Sequence, residues 1–216
     1  MKKRILCFGD SNTWGWVPCK ASRYPADVRW PGVTAELLGE DYTLIEDGVS
    51  GRLTAIDDPY HPYFNGRTAL PYSILANYPL DLVILFLGTN DIKYTEPYRA
   101  ANGIEELISD VKNATVRFES FSPCYDGDVK ILVVAPTALR PDIAEINPTS
   151  DLRYAYERSL SLSKEFRRVA EAAGVDFLDA ADYAWPSEAD GVHFTAEGHR
   201  ALGEAIAKKI KEMFEN

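Results

Sequence analysis

Five short runs rich in Val, Ile and Leu punctuate the chain: Arg4–Phe8, Thr43–Glu46, Leu82–Leu87, Lys130–Ala135 and Val175–Leu178. They are nearly continuous instead of alternating, which suits strands covered on both faces. Between them, apolar residues recur at spacings of three and four. Ile104, Leu107, Ile108 and Val111 mark one helix. Leu152, Tyr156 and Leu160, continued by Phe166, Val169 and Ala173, predict one long helix that Gly174 ends. Leu202, Ile206, Ile210 and Met213 mark the last, with Thr195 as its N-cap, Glu197 in its first turn and Lys208, Lys209 and Lys211 toward its C-terminal end. A shorter helix opens at Pro31 and runs through Leu38. Strand alternating with helix predicts parallel strands joined by right-handed crossovers, hence an open α/β sandwich. Two stretches, Gly48–Arg67 and Pro136–Pro148, carry no regular pattern. Both follow the carboxyl end of a strand, where open α/β sheets place their ligands, so both read as functional loops.

A length of 216 residues without linker or repeat predicts one domain over 1–216. The net charge of −10 argues against nucleic acid and anionic membranes as partners, since both select a basic face. Cys7, Cys19 and Cys124 include no CxxC pair, so a disulfide framework or zinc ribbon is not expected and a reducing, cytoplasmic setting is the simpler reading. The apolar run Ile5–Phe8 stops at Gly9-Asp10, too short for a signal-peptide core. No run approaches the ~18 apolar residues of a membrane span.

The chemistry gathers just after the strands. The first is followed by Gly9-Asp10-Ser11-Asn12-Thr13, the second by Asp47-Gly48-Val49-Ser50-Gly51-Arg52, and the third by Gly88-Thr89-Asn90-Asp91. The fifth is followed, after a gap, by Asp190-Gly191-Val192-His193-Phe194-Thr195. Parallel strands deliver these segments to one edge of the sheet. They supply a hydroxyl, a glycine amide, a carboxamide and an acid–histidine pair, the parts that acyl transfer requires. Each also has an ordinary structural reading. Ser11 suits a helix N-cap, Asn90 a turn, Gly51 a positive φ, and Asp190 with His193 a surface turn. In a helical turn the i, i+3 spacing would set Asp190 and His193 on one side, leaving one ring nitrogen for the serine. Trp14 and Trp16 either line an acyl pocket or pack the turn. His61 reads as a surface or interface residue and His199 as structural. There is no HExxH for a metal, and neither a GxGxxG nor a Gly-Lys pair for phosphates.

These segments resemble the blocks of the SGNH (GDSL) hydrolase superfamily: Gly9-Asp10-Ser11, Gly51, Gly88-Thr89-Asn90-Asp91 and Asp190-Gly191-Val192-His193, in the family's order. The resemblance implies a flavodoxin-like three-layer α/β/α sandwich around a five-stranded parallel sheet. It implies Ser11 as nucleophile, His193 as base and Asp190 as its orienter. The oxyanion hole would be the Ser11 and Gly51 amides and the Asn90 side chain. Gly9 to Trp16, Val28-Arg29-Trp30, Ile56-Asp57-Asp58-Pro59 and Leu87 to Lys93 are similar to the bacterial arylesterase and acyltransferase branch. That likeness implies short-chain, acetyl-like esters hydrolysed through an acyl-enzyme, with transfer to alcohols or peroxide, by a homo-oligomer without a cofactor. Asp10, Trp14, Trp16, Thr89, Lys93 and Val192 are the expected substrate contacts. The chain departs from the family at Asn12, where Leu or Ile is usual, and at Gly51 some members carry Ala. Acetylated carbohydrates are an alternative substrate class. A flavodoxin-like nucleotide or phosphate binder without covalent chemistry is the alternative of a different kind, although an acidic loop is a poor phosphate site. The aromatic stretch Pro59-Tyr60-His61-Pro62-Tyr63-Phe64 is expected to fold over the site or to pack on another subunit, so the site is expected to be partly enclosed.

Overall fold

The computed structural model describes residues 2–117, 121–123, 125 and 129–215. Cys124 lies outside the described residues. In chain order the elements are β1 (Lys3–Gly9), α1 (Ser11–Trp14), α2 (Trp30–Leu38), β2 (Tyr42–Gly48), α3 (Gly66–Asn77), β3 (Leu82–Phe86), α4 (Pro97–Lys112), β4 (Thr115–Arg117), β5 (Phe121–Pro123), β6 (Lys130–Ala135), α5 (Ile143–Ile146), α6 (Tyr156–Ser159), α7 (Leu162–Ala173), β7 (Asp176–Asp179) and α8 (Ala196–Glu215). Five strands form an all-parallel sheet in the order β2-β1-β3-β6-β7, and β4 pairs antiparallel with β5 in a separate ribbon. After β1 the chain adds β2 on one side and then returns to add β3 on the other. The carboxyl ends of β1 and β3 therefore flank a topological switch point, where this doubly wound order opens a crevice.

The continuous apolar runs divide their side chains between two faces, as the strand period of two requires. Leu6, Phe8, Val83, Leu85, Ile131 and Val133 pack with Leu70 and Ile74 of α3, Ile104 and Leu107 of α4, and Phe166 of α7. Ile5, Cys7, Ile84, Phe86, Leu132 and Val134 pack with Trp30 of α2 and Leu202, Ile206 and Ile210 of α8. The result is an α/β/α sandwich in which both faces of the sheet are covered.

Several elements depart from the pattern-based expectation. Helix α3 begins inside the stretch read as irregular. Pro71 lies in its interior and only Gly66, Leu70 and Ile74 are buried, so neither propensity nor periodicity marks it. The long helix expected over 152–173 is broken into a turn, α6 and α7. Its Ser-rich middle supplies the break: the Ser159 hydroxyl donates back to the Tyr156 carbonyl and accepts from the Leu139 amide, giving the backbone an alternative to helix continuation. The Pro136–Pro148 stretch contains the single turn α5. Thr195 does cap α8, its hydroxyl accepting from the Gly198 amide at 3.2 Å. Lys208, Lys209 and Lys211 lie before the last turn of α8. There Lys209 pairs with Asp176 at 2.6 Å and Lys211 donates to the Leu37 carbonyl at 3.1 Å.

Candidate active site

Ser11 opens the one-turn helix α1 directly after β1. Its amide is among those that a helix start leaves without an internal partner. The buried Asp10 carboxylate caps this turn by accepting the Asn12 amide at 2.9 Å. Gly15 closes it in the left-handed conformation at φ 88°. The tight strand-to-helix reversal projects Ser11 at the sheet rim.

His193 meets Ser11 from the loop that precedes α8. Its Nε2 lies 2.9 Å from Ser11 Oγ, and its Nδ1 lies 2.7 Å from Asp190 Oδ2. With Nδ1–H donating to the carboxylate, Nε2 is free to accept the serine proton. Asp190 and His193 do not share a helical turn, contrary to the spacing-based expectation. Asp190 Oδ1 accepts the amides of Val192 and His193, each at 3.0 Å, and Gly191 takes φ 75°, so the loop folds back on the aspartate side chain. Burial pushes the Asp190 carboxyl up, but bonding to the His193 ring, the charge of His193 and the two amides outweigh it and hold it below the usual range.

Gly51 and Asn90 come from the loops after β2 and β3. Gly51 has φ 90°, and a Cβ there would stand 2.7 Å from the Phe64 ring. Alanine is therefore not interchangeable with glycine in this chain, whatever its amide could donate. Asn90 Nδ2 donates to the Arg52 carbonyl at 3.1 Å, which leaves its second hydrogen for a ligand. Arg52 is buried and braces the rim. Its Nη1 donates to the Gly9 and Asp47 carbonyls, its Nη2 pairs with Asp47 at 2.7 Å, and its guanidinium lies 4.0 Å from the centre of the Phe8 ring.

Ser11, Gly51, Asn90 and His193 line one cavity of about 320 Å³. Trp16, Lys93 and Val192 also line it. Asp10, Trp14 and Thr89 are not among its lining residues: the Asp10 carboxylate is taken up by the Asn12 amide, and Trp14 packs 5.8 Å from Trp16 with Arg23 over its ring. The aromatic loop also leaves the cavity open within the chain. Tyr60 is 81% and Tyr63 67% exposed, and neither is among the lining residues, so the expected enclosure is absent from the single chain. The side chains of Asn147, Thr149, Ser150, Asp151 and Leu152 also line the cavity. Asn147 belongs to the irregular stretch Pro136–Pro148, whereas Thr149, Ser150 and Asp151 lie just beyond it and carry no catalytic signature. The Asn-Pro-Thr-Ser-Asp turn composition at its end was the available signal.

Two carboxylates sit beneath the rim. Burial pushes Asp10 up to about 6, against the Asn12 amide and the positive charges of His193, Lys93 and Arg52. Burial likewise pushes Asp91 up to about 6, against bonds from the Thr54 hydroxyl and amide. Burial lowers Lys93, opposed chiefly by Asp151. His199 is fully buried between Tyr24 and Phe194, and burial lowers it to about 3, so it stays neutral and structural. His61 is bound to Asp58 at 3.2 Å on the surface loop. Among the described residues, no three His, Cys, Asp or Glu side chains gather in a metal-binding group. No described helix is long and apolar enough to cross a membrane.

The GDSL-like lipase/acylhydrolase family model matches residues 7–201. No curated protein sequence matches the chain. Among solved structures, the native aryl esterase of M. smegmatis is 37% identical, with TM-score 0.86 over 97% of this chain and 99% of that one. Est24, a carbohydrate acetylesterase from Sinorhizobium meliloti, is 38% identical, with TM-score 0.87 over 98% of this chain and 100% of that one. A putative arylesterase from Agrobacterium tumefaciens str. C58 is 34% identical, with TM-score 0.83 over 97% and 99% of the two chains. A family match across most of the length, joined to a shared fold, makes this chain a member of the GDSL-like lipase/acylhydrolase family and an ester hydrolase of the serine type.

Proposed function

We propose that this esterase acts through Ser11 as nucleophile, with His193 as general base and Asp190 holding the imidazole, on esters of short acyl chains. The observation that carries this reading is the run of contacts from Asp190 through His193 to Ser11, 2.7 and 2.9 Å long, opening on the cavity that Gly51 and Asn90 also line. His193 takes the Ser11 proton as Oγ adds to the ester carbonyl. The developing oxyanion faces the Ser11 and Gly51 amides and the Asn90 carboxamide. His193 then returns the proton to the departing alcohol. Water, deprotonated by the same ring, releases the acid; an alcohol in its place completes acyl transfer. Trp16, its ring centre 5.8 Å from that of His193, limits the acyl side.

The polar side chains of Thr149, Ser150 and Asp151 among the lining residues favour a second reading of the leaving group, an acetylated carbohydrate whose hydroxyls they would bind. The carbohydrate acetylesterase similarity points the same way. We also assign the exposed Tyr60 and Tyr63 to contact with a second copy, since so much bare aromatic surface is unfavourable in water. The test of the nucleophile is labelling by a fluorophosphonate followed by mass spectrometry. One adduct on Ser11, with an inactive Ser11→Ala variant, is expected; an adduct on Ser50 or Ser73 would overturn the reading.

A further inference from the structure

From the Gly191 amide to the Phe194 amide, each backbone group has a partner. The Gly191 amide donates to the Ser187 carbonyl at 2.9 Å, and the Gly191 carbonyl accepts the Arg140 amide at 3.1 Å. The His193 carbonyl accepts the Ser187 amide at 2.7 Å. Asp190 takes the amides of Val192 and His193. Two groups are left, the Val192 carbonyl and the Phe194 amide, and both go to one side chain. Asn12 Nδ2 donates to the Val192 carbonyl at 3.5 Å, and Asn12 Oδ1 accepts the Phe194 amide at 3.2 Å. Asn12 is buried, and it follows Ser11 directly in α1.

The division of labour follows from connectivity. Asp190 and His193 belong to the same loop, so their contact orients the ring within that loop and says nothing about its distance from Ser11. Asn12 belongs to the serine's own helix and grips the peptide groups on either side of His193. An aliphatic side chain of similar size would fill the same space and leave a buried carbonyl and a buried amide without partners. We propose that Asn12 is a positioning residue that sets the spacing between Ser11 and His193 by clamping the histidine loop to α1. This rests on the Ser11, His193 and Asp190 roles proposed above.

The test uses the near-isosteric Asn12→Leu and the smaller Asn12→Ala. Three quantities are read: steady-state kinetics on p-nitrophenyl acetate, the rate of phosphonylation at Ser11, and the downfield proton resonance of His193 Nδ1–H. The expected result is a ten- to hundredfold fall, in order of magnitude, in both kcat and phosphonylation rate, because small misplacements of reacting groups cost about that much. KM should stay within about threefold, and the downfield resonance should persist, since the Asp190 contact lies inside the loop. A merely structural role would lose the resonance together with activity, and that outcome overturns the proposal. So do unchanged rates in a folded variant, a loss confined to KM, or failure of both variants to fold. If Asn12→Leu alone fails to fold, Asn12→Ala decides. Labelling of Ser11 in the unaltered protein tests the nucleophile separately, so failure at Asn12 is distinguishable from failure of the underlying mechanism.

Discussion

Under the proposed mechanism, Asn90→Ala removes one of three donors assigned to the developing oxyanion. Loss of one such donor typically costs about 2.7–4 kcal/mol of transition-state stabilisation, or roughly 10²–10³ in kcat. The structure adds a second consequence. Asn90 Nδ2 also donates to the Arg52 carbonyl at 3.1 Å, so the substitution leaves a buried carbonyl without that partner. Such a group costs about 1–3 kcal/mol of stability. That carbonyl belongs to the residue after Gly51, so loss of the bond also loosens the loop that presents the Gly51 amide. Both effects lower kcat, and the expected fall lies toward the upper part of the range. The assay is initial-rate kinetics on p-nitrophenyl acetate, paired with urea unfolding of the same samples. The expectation is a kcat lower by roughly 10²–10³, KM within about threefold, and a lower urea midpoint. Asn90→Asp should be slower still, because a carboxylate would face the oxyanion with like charge. A KM that rises tenfold while kcat holds would make Asn90 a ground-state contact and refute the reasoning.

Burial raises Asp91 to about 6, above its value in an unfolded chain, so its ionisation weakens the fold as pH climbs from about 4 to about 6. The stability difference between Asp91→Asn and the unaltered protein should therefore move in the variant's favour by an amount on the order of 3 kcal/mol as pH rises from about 4 to above 6. Urea midpoints at pH 7.5 and 5 check this, and a gap that ignores pH would contradict it. Trp16→Ala should widen the acyl side and shift preference from acetyl and butyryl toward octanoyl p-nitrophenyl esters; an unaltered chain-length profile would remove Trp16 from the acyl pocket. Light scattering after size exclusion should find more than one subunit, and Tyr60→Ser with Tyr63→Ser should shift the distribution toward monomer. A monomeric unaltered protein would rule out the assignment of those rings to an interface.

Much of the fold was legible because buried parallel strands announce themselves. Their apolar runs are continuous, and each of the five expected runs overlaps an observed strand of the main sheet. Helices α4 and α8 were legible through periodicity, and Gly174 ends α7 as expected, at φ 64°. Helix α3 was hidden because a proline in its interior and a sparse buried face silence both signals. The break before α7 was hidden because serine side chains there compete for the backbone, a contest that apolar spacing does not record.

Strand direction alone brings the candidate segments together. Parallel strands all point one way, so whatever follows their carboxyl ends must meet at one edge, and Ser11, Gly51, Asn90 and His193 do line one cavity there. Which neighbours share that cavity follows from packing in three dimensions. Asp10 turns inward to cap α1 while Trp16 faces His193, and Asn147, Thr149, Ser150 and Asp151 are carried in from a distant part of the chain. Packing also decided the meaning of Asn12, which from sequence is only a polar residue at an unusual place. Its oxygen meets the Phe194 amide across 182 positions. Side-chain direction and long-range hydrogen bonds depend on how elements pack in three dimensions, and no local pattern of polar and apolar residues encodes that pairing.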